Sequence, residues 1–223
     1  MRSVTAQVLF DLTLAHGRCV GVAIPDGPAL DALAEAVLRP EERACAASWA
    51  PARRRTWIAG RAAMRTALER AGVDAPAVLQ DDRGAPELPA GVSGSVSHKE
   101  HIAVALVARE PSAKIGVDVE ILRPTRVDIA RKVLTVAEVA EVDRLNAADR
   151  ATQVLLRFSA KEAIYKALDP FVRRYVGFHE VSLAPAPEGT AVVGMQLAEG
   201  PFRCEVRWVV RDDIILTTAR VAR

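Results

Sequence analysis

Only three cysteines occur in 223 residues, Cys19, Cys45 and Cys204, far apart and with no CxxC pair. So small and scattered a set excludes a disulfide framework and the usual structural-zinc spacing, and it predicts a reducing, cytoplasmic setting. Net charge is nearly absent as well, at +2, with the acidic residues dispersed rather than gathered in a tail. That balance speaks against a general nucleic-acid or membrane-surface partner. No apolar run is long enough to span a bilayer. The opening MRSVTAQVLFDLTLAHG is interrupted by Asp11 and lacks a basic start followed by an apolar stretch, so no signal peptide is predicted. Short repeats, low-complexity segments, a G-x-S-x-G elbow and an H-E-x-x-H metal motif are also missing; HKEH at His98 to His101 does not match the last.

What is present is a globular composition. Half of the residues are hydrophobic and 26% are charged, enough for one large core or two small ones. The first third reads as mostly helical. Gly27-Pro28 opens a helix with Leu30, Leu33, Ala34, Val37 and Leu38 on one face, Pro40 starts a short one through Trp49, and Pro51 starts a long one that stops at Gly72. DDRGAPELPAGVSGS reads as a loop, followed by β-like runs at His101 to Ala108 and Lys114 to Glu120. Helices are expected from about Val127 to Asp169, closed by Pro170, and then strands in FHEVSLA, TAVVGMQLA, FRCEVRWVV and DIILTTARV, with PAPEG as a turn. The fold class is α+β, with domains placed at residues 1–110 and 111–223.

Four stretches carry possible chemistry. In GVDVE, strand alternation points Asp118 and Glu120 the same way. Paired carboxylates repel unless a cation lies between them, and oxygen donors favour Mg²⁺; a solvent-facing edge strand explains them equally well. In FSAKEAIYKAL, Ser159, Glu162 and Lys166 share a helical stripe while Phe158, Ile164 and Leu168 anchor the helix; a plain surface Glu–Lys pair is the alternative. Gly94 to His98 can offer a hydroxyl, amides and an imidazole to an anion. Ser97 and His98, adjacent in a strand, point to opposite sides and make a poor nucleophile–base pair. Arg53, Arg54, Arg55 and Arg61 line a long helix, where they either hold a phosphate or form a solvated face.

Taken together, these stretches resemble the 4′-phosphopantetheinyl transferases of the larger, pseudo-dimeric class. The signature is GVDVE followed at the family's separation by FSAKEAIYK. RRRTWIAGRAAMRTAL, GAPELPAGVSGSVSH and RRYVGFHEVSL are similar to the siderophore-synthetase branch, so the resemblance runs from about Arg53 to Leu183. It implies two similar halves in one monomeric chain, with coenzyme A in the cleft between them and its phosphopantetheine arm passed to a serine of an apo carrier protein as 3′,5′-ADP leaves. It implies Asp118, Glu120 and Glu162 around Mg²⁺, for which Mn²⁺ can substitute, and either Glu162 or a metal-associated water as acceptor of the serine proton. It implies Lys166 and His98 on phosphate and leaving-group charge, Lys161 and Ser97 as further cofactor contacts, and Arg53, Arg61 and Arg83 at the nucleotide end with its 3′-phosphate. Relatives of the surfactin type place Lys where Ala85 stands here, so Arg83 is assigned that role. Two other readings use the same residues. A non-catalytic coenzyme A-binding module needs the basic helix and His98 but not three carboxylates. A metal-dependent phosphatase or nuclease needs no carrier protein and gains nothing from a net charge of +2.

Overall fold

The computed structural model describes residues 5–123 and 129–223. The expected start of a helix near Val127 lies outside them. The chain divides into two compact units, Met1–Ser112 and Ala113–Arg223.

The first unit begins with a hairpin, β1 (Val8–Leu14) and β2 (Gly17–Ala23). A mostly helical first third did not anticipate it. The signal was the pair Ala15-His16 before Gly17, whose φ of 133° suits glycine alone. Then come α1 (Pro28–Val37), α2 (Pro40–Ala47) and α3 (Pro51–Arg70), each opened by the expected proline. β3 (Val92–Lys99) and β4 (Ile102–Arg109) complete an antiparallel sheet of order β1-β2-β4-β3. Ala59, Ala63, Met64, Ala67 and Leu68 of α3 pack with Val20 and Val22 of β2 and Ala103, Ala105 and Val107 of β4. Small residues let the helix lie close to the sheet: a Cβ on Gly60 would come within 2.9 Å of Val96.

The second unit runs β5 (Lys114–Ile121), the short helices α4 (Ala130–Val133) and α5 (Val136–Val142), the long α6 (Ala147–Val172), a 3₁₀ turn at Phe178–Glu180, and strands β6 (Val181–Ala186), β7 (Thr190–Met195), β8 (Arg203–Arg211) and β9 (Ile214–Ala222). Its antiparallel sheet has the order β5-β9-β8-β7-β6. α6 does not stop before Pro170. It runs to Val172, where Arg173 donates its N–H to the Asp169 carbonyl at 2.9 Å and turns left-handed with φ 48°. The core of this unit joins Ala163, Ile164, Ala167 and Leu168 of α6 to Leu183, Val206, Ala219 and Val221 of the sheet. Both units thus pair an antiparallel sheet with one long helix, an α+β architecture.

Candidate active site

The carboxylate group forms because β5 and α6 touch backbone to backbone. A Cβ on Gly116 would stand 1.9 Å from the Ala163 carbonyl oxygen, so only glycine admits this approach. Two residues on, Asp118 faces the helix. It accepts from Ser159 Oγ at 2.9 Å and pairs with Lys166 Nζ at 2.8 Å; the same ammonium donates to the Val117 carbonyl at 2.9 Å. Ser159 also meets Thr217 Oγ1 at 2.9 Å, and Thr217 sits opposite Asp118 in the β5–β9 register. Asp118 and Glu120 are both buried, at 5% and 7% exposed, which removes the solvent-facing edge strand as an explanation.

Glu162 lies one turn before Lys166 on the same face. Burial raises its proton affinity above the ordinary glutamate range; Lys166 opposes this, and the charges of Asp118 and Glu120 add to it. The three carboxylates therefore feel one another. Among the described residues, no three His, Cys, Asp or Glu side chains are gathered closely enough to share a metal ion as they are placed, and Asp118 already engages Lys166 and Ser159. The donor chemistry nonetheless suits a hard dication. All three groups offer oxygen, and the mutual repulsion that raises Glu162 is what a cation would relieve.

Lys161 requires a correction. Expected to touch phosphate, it is fully buried and has all three ammonium donors occupied, by Glu138 Oε2 at 2.7 Å and the Val133 and Phe178 carbonyls at 2.9 Å. A side chain so enclosed cannot reach a ligand. The sequence reading also passed over Glu138, which accepts from Lys161 and from the amides of Thr135 at 2.7 Å and Leu183 at 2.8 Å. Its signal was the capping pattern Thr135-Val136-Ala137-Glu138.

The remaining expected residues belong to the first unit. Arg61 is only 4% exposed. Its Nη2 donates to the Leu79 carbonyl at 2.8 Å, its guanidinium lies 4.6 Å from the centre of the Trp57 ring, and its buried Nε has no partner among the described residues. Burial pulls its pKa down to about 10, with Glu42 opposing the shift. Arg53 is exposed and stacks 3.6 Å over Trp49. Arg83 is exposed in a turn held by Asp81 Oδ1, which accepts from the amides of Arg83 and Ala85 at 2.9 Å. On β3, His98 is exposed and Ser97 is buried at 7%, so the two side chains do fall on opposite faces. Arg54 and Arg55 are engaged elsewhere: Arg54 pairs with Asp31 at 2.8 Å and Arg55 with Asp26 at 2.5 Å.

The second unit thus holds buried carboxylates around a lysine, and the first a buried arginine with an unpartnered Nε among the described residues. Comparison with known proteins makes the class specific. Residues 41–108 match the 4'-phosphopantetheinyl transferase N-terminal domain, and residues 114–219 match the 4'-phosphopantetheinyl transferase superfamily. The 4'-phosphopantetheinyl transferase Svp of Streptomyces mobaraensis is 32% identical over 209 residues, 89% of this chain and 82% of that protein. Npt of Nocardia iowensis is 31% identical over 205 residues, 82% of this chain and 89% of that protein. Enterobactin synthase component D of Salmonella typhimurium is 30% identical over 172 residues, 72% of this chain and 68% of that protein, in keeping with the siderophore-synthetase resemblance. Among solved structures, the holo-ACP-synthase from Plasmodium yoelii aligns with 49% of this chain and 94% of its own at 21% identity and a TM-score of 0.41. The chain belongs to the 4'-phosphopantetheinyl transferase superfamily, enzymes that move phosphopantetheine from coenzyme A to carrier proteins.

Proposed function

We propose that the chain, acting as a monomer, performs this transfer with Mg²⁺ held by Asp118, Glu120 and Glu162, and that its acceptors are the carrier domains of secondary-metabolite, siderophore or fatty-acid synthases. The observation that carries the reading is the charged group on one face of α6. Glu162, with its proton affinity raised beside Asp118 and Glu120, shares that face with Lys166. The reaction forms a bond from the carrier serine oxygen to the phosphorus of the arm and breaks that phosphorus–oxygen bond to 3′,5′-ADP. The proton leaves the serine hydroxyl for Glu162 or for a metal-associated water. A bound Mg²⁺ supplies charge neutralisation at the pyrophosphate. Among the described residues Lys166 donates to the Val117 carbonyl and to Asp118, and its positive charge would offset charge on the leaving group. In the first unit Arg61, with Arg53 and Arg83, takes the 3′-phosphate, and Ser97 and His98 serve the phosphates. Mn²⁺, another oxygen-seeking cation, is expected to substitute.

Three unpaired cysteines suit a reducing compartment such as the cytoplasm. Among the described residues no helix is long and apolar enough to cross a membrane. The test is a Mg²⁺ titration of transfer rate in the wild type, Asp118→Ala and Glu162→Gln. Both variants should be folded and inactive at every Mg²⁺ concentration. A variant that stays active and retains the wild-type Mg²⁺ dependence removes that residue from the metal site.

A further inference from the structure

Both units contain the same buried device, although their sequences share no obvious repeat. Glu42 is the third residue of α2 and Glu138 the third of α5, and each accepts the amide at the start of its own helix, Arg39 N and Thr135 N, at 2.7 Å. Each pairs with a basic residue 23 positions later in the next long helix. Glu42 binds Arg65 at 2.6 and 3.1 Å, and Glu138 binds Lys161 at 2.7 Å. Each also accepts one amide from a distant segment, Val78 N at 2.7 Å and Leu183 N at 2.8 Å. The basic partners in turn donate to carbonyls, Arg65 to Pro76 and Ala75, Lys161 to Val133 and Phe178.

One turn before each basic partner stands a second buried arginine, Arg61 in α3 and Arg157 in α6, and both have a buried Nε without a partner among the described residues. Here the units part. Arg157 has its two Nη groups engaged by acidic and amide neighbours, Glu141 at 2.8 Å and Gln153 at 2.6 Å, and it lines a cavity of about 390 Å³ with Leu145 and Asp149. Carboxylates at that cavity repel an anion. Among the described residues Arg61 has no carboxylate bonded to it. Its Nη2 donates to the Leu79 carbonyl, next to the Val78 amide that Glu42 holds.

We infer that Glu42 is a positioning residue for the nucleotide end of coenzyme A: by fixing Arg65 and the Ala75–Leu79 stretch it places the Leu79 carbonyl that aims Arg61. The inference rests on the reading of Arg61 as a 3′-phosphate ligand. Glu42 is 0% exposed, so it acts through these neighbours and through its charge, which favours the Arg61 guanidinium. Loosening Val78 would let Leu79 shift and free Arg61 from the carbonyl that aims it. A ligand that carries the 3′-phosphate would then be penalised, and one that lacks it would not.

The experiment compares kcat and KM for coenzyme A and for dephospho-coenzyme A, which lacks the 3′-phosphate, in the wild type, Arg61→Ala, Glu42→Gln, Glu42→Asp and Glu138→Gln. Arg61→Ala should raise KM for coenzyme A about tenfold or more, the scale of a charge-assisted bond, and barely change KM for dephospho-coenzyme A. Glu42→Gln should shift the KM ratio the same way by a few-fold, with kcat nearly unchanged; Glu42→Asp carries the comparison if the glutamine variant does not fold. Glu138→Gln disturbs the equivalent device in the other unit and should leave the ratio alone. If Arg61→Ala leaves the ratio unchanged, the 3′-phosphate reading falls and the inference with it. If Arg61→Ala shifts the ratio but the folded Glu42 variants do not, or if Glu138→Gln shifts it equally, the inference alone falls.

Discussion

Lys161→Ala separates two roles for the lysine of the signature helix. In the structure the side chain is 0% exposed and donates three hydrogen bonds, one of them to a glutamate that is itself 2% exposed. Removing it leaves Glu138 charged and buried with only the Thr135 and Leu183 amides for company. Breaking a buried pair from one side costs about 3–5 kcal/mol. For a chain of this length that corresponds to a drop in Tm of about 6–20 °C, at roughly 2–4 °C per kcal/mol. The assay is thermal or urea unfolding, read beside KM for coenzyme A at a temperature where the variant is folded. The structure predicts a large loss of stability with KM close to the wild type. A phosphate-binding lysine predicts the reverse, nearly full stability and a raised KM; that result would refute the buried-pair account.

Other predictions follow from the same geometry. Gly116→Ala should destabilise the second unit by about 1–3 kcal/mol or more, because its Cβ meets a backbone carbonyl that cannot step aside; urea unfolding would measure this, and an unchanged midpoint would contradict the close β5–α6 contact. Glu162→Gln should be inactive yet at least as stable as the wild type in metal-free buffer at neutral pH. The raised proton affinity of Glu162 means that its favourable contribution is present below the ordinary glutamate pKa and lost as pH rises through the raised value. A clearly lower Tm for the variant at neutral pH would show that the charged carboxylate is stabilised rather than strained. Mg²⁺ should raise the Tm of the wild type but not of Glu162→Gln; equal shifts would place the ion elsewhere.

The sequence made much of this legible through chemistry that leaves a local trace. Prolines at Pro28, Pro40 and Pro51 marked three helix starts, and alternation in GVDVE put Asp118 and Glu120 on one face. Long-range polar burial left no such trace. Lys161 looks like any lysine beside a glutamate, and only tertiary contacts with Glu138, Val133 and Phe178 show that it points inward. Arg61 and Arg53 read alike on the helix, yet one is buried on Trp57 and the other exposed over Trp49. The Glu42 and Glu138 devices escaped notice because the partners that complete them, Arg65 and Val78 or Lys161 and Leu183, lie 23 to 45 positions away along the chain. The β1–β2 hairpin was missed because its turn is announced by a single glycine, Gly17.

The most direct test is the intact mass of an apo carrier protein incubated with this chain, coenzyme A and Mg²⁺. The account predicts a gain equal to one phosphopantetheine arm, abolished by chelator and restored by added Mg²⁺. No gain on carriers of several types, despite measurable coenzyme A binding, would contradict it and leave a binding module in its place.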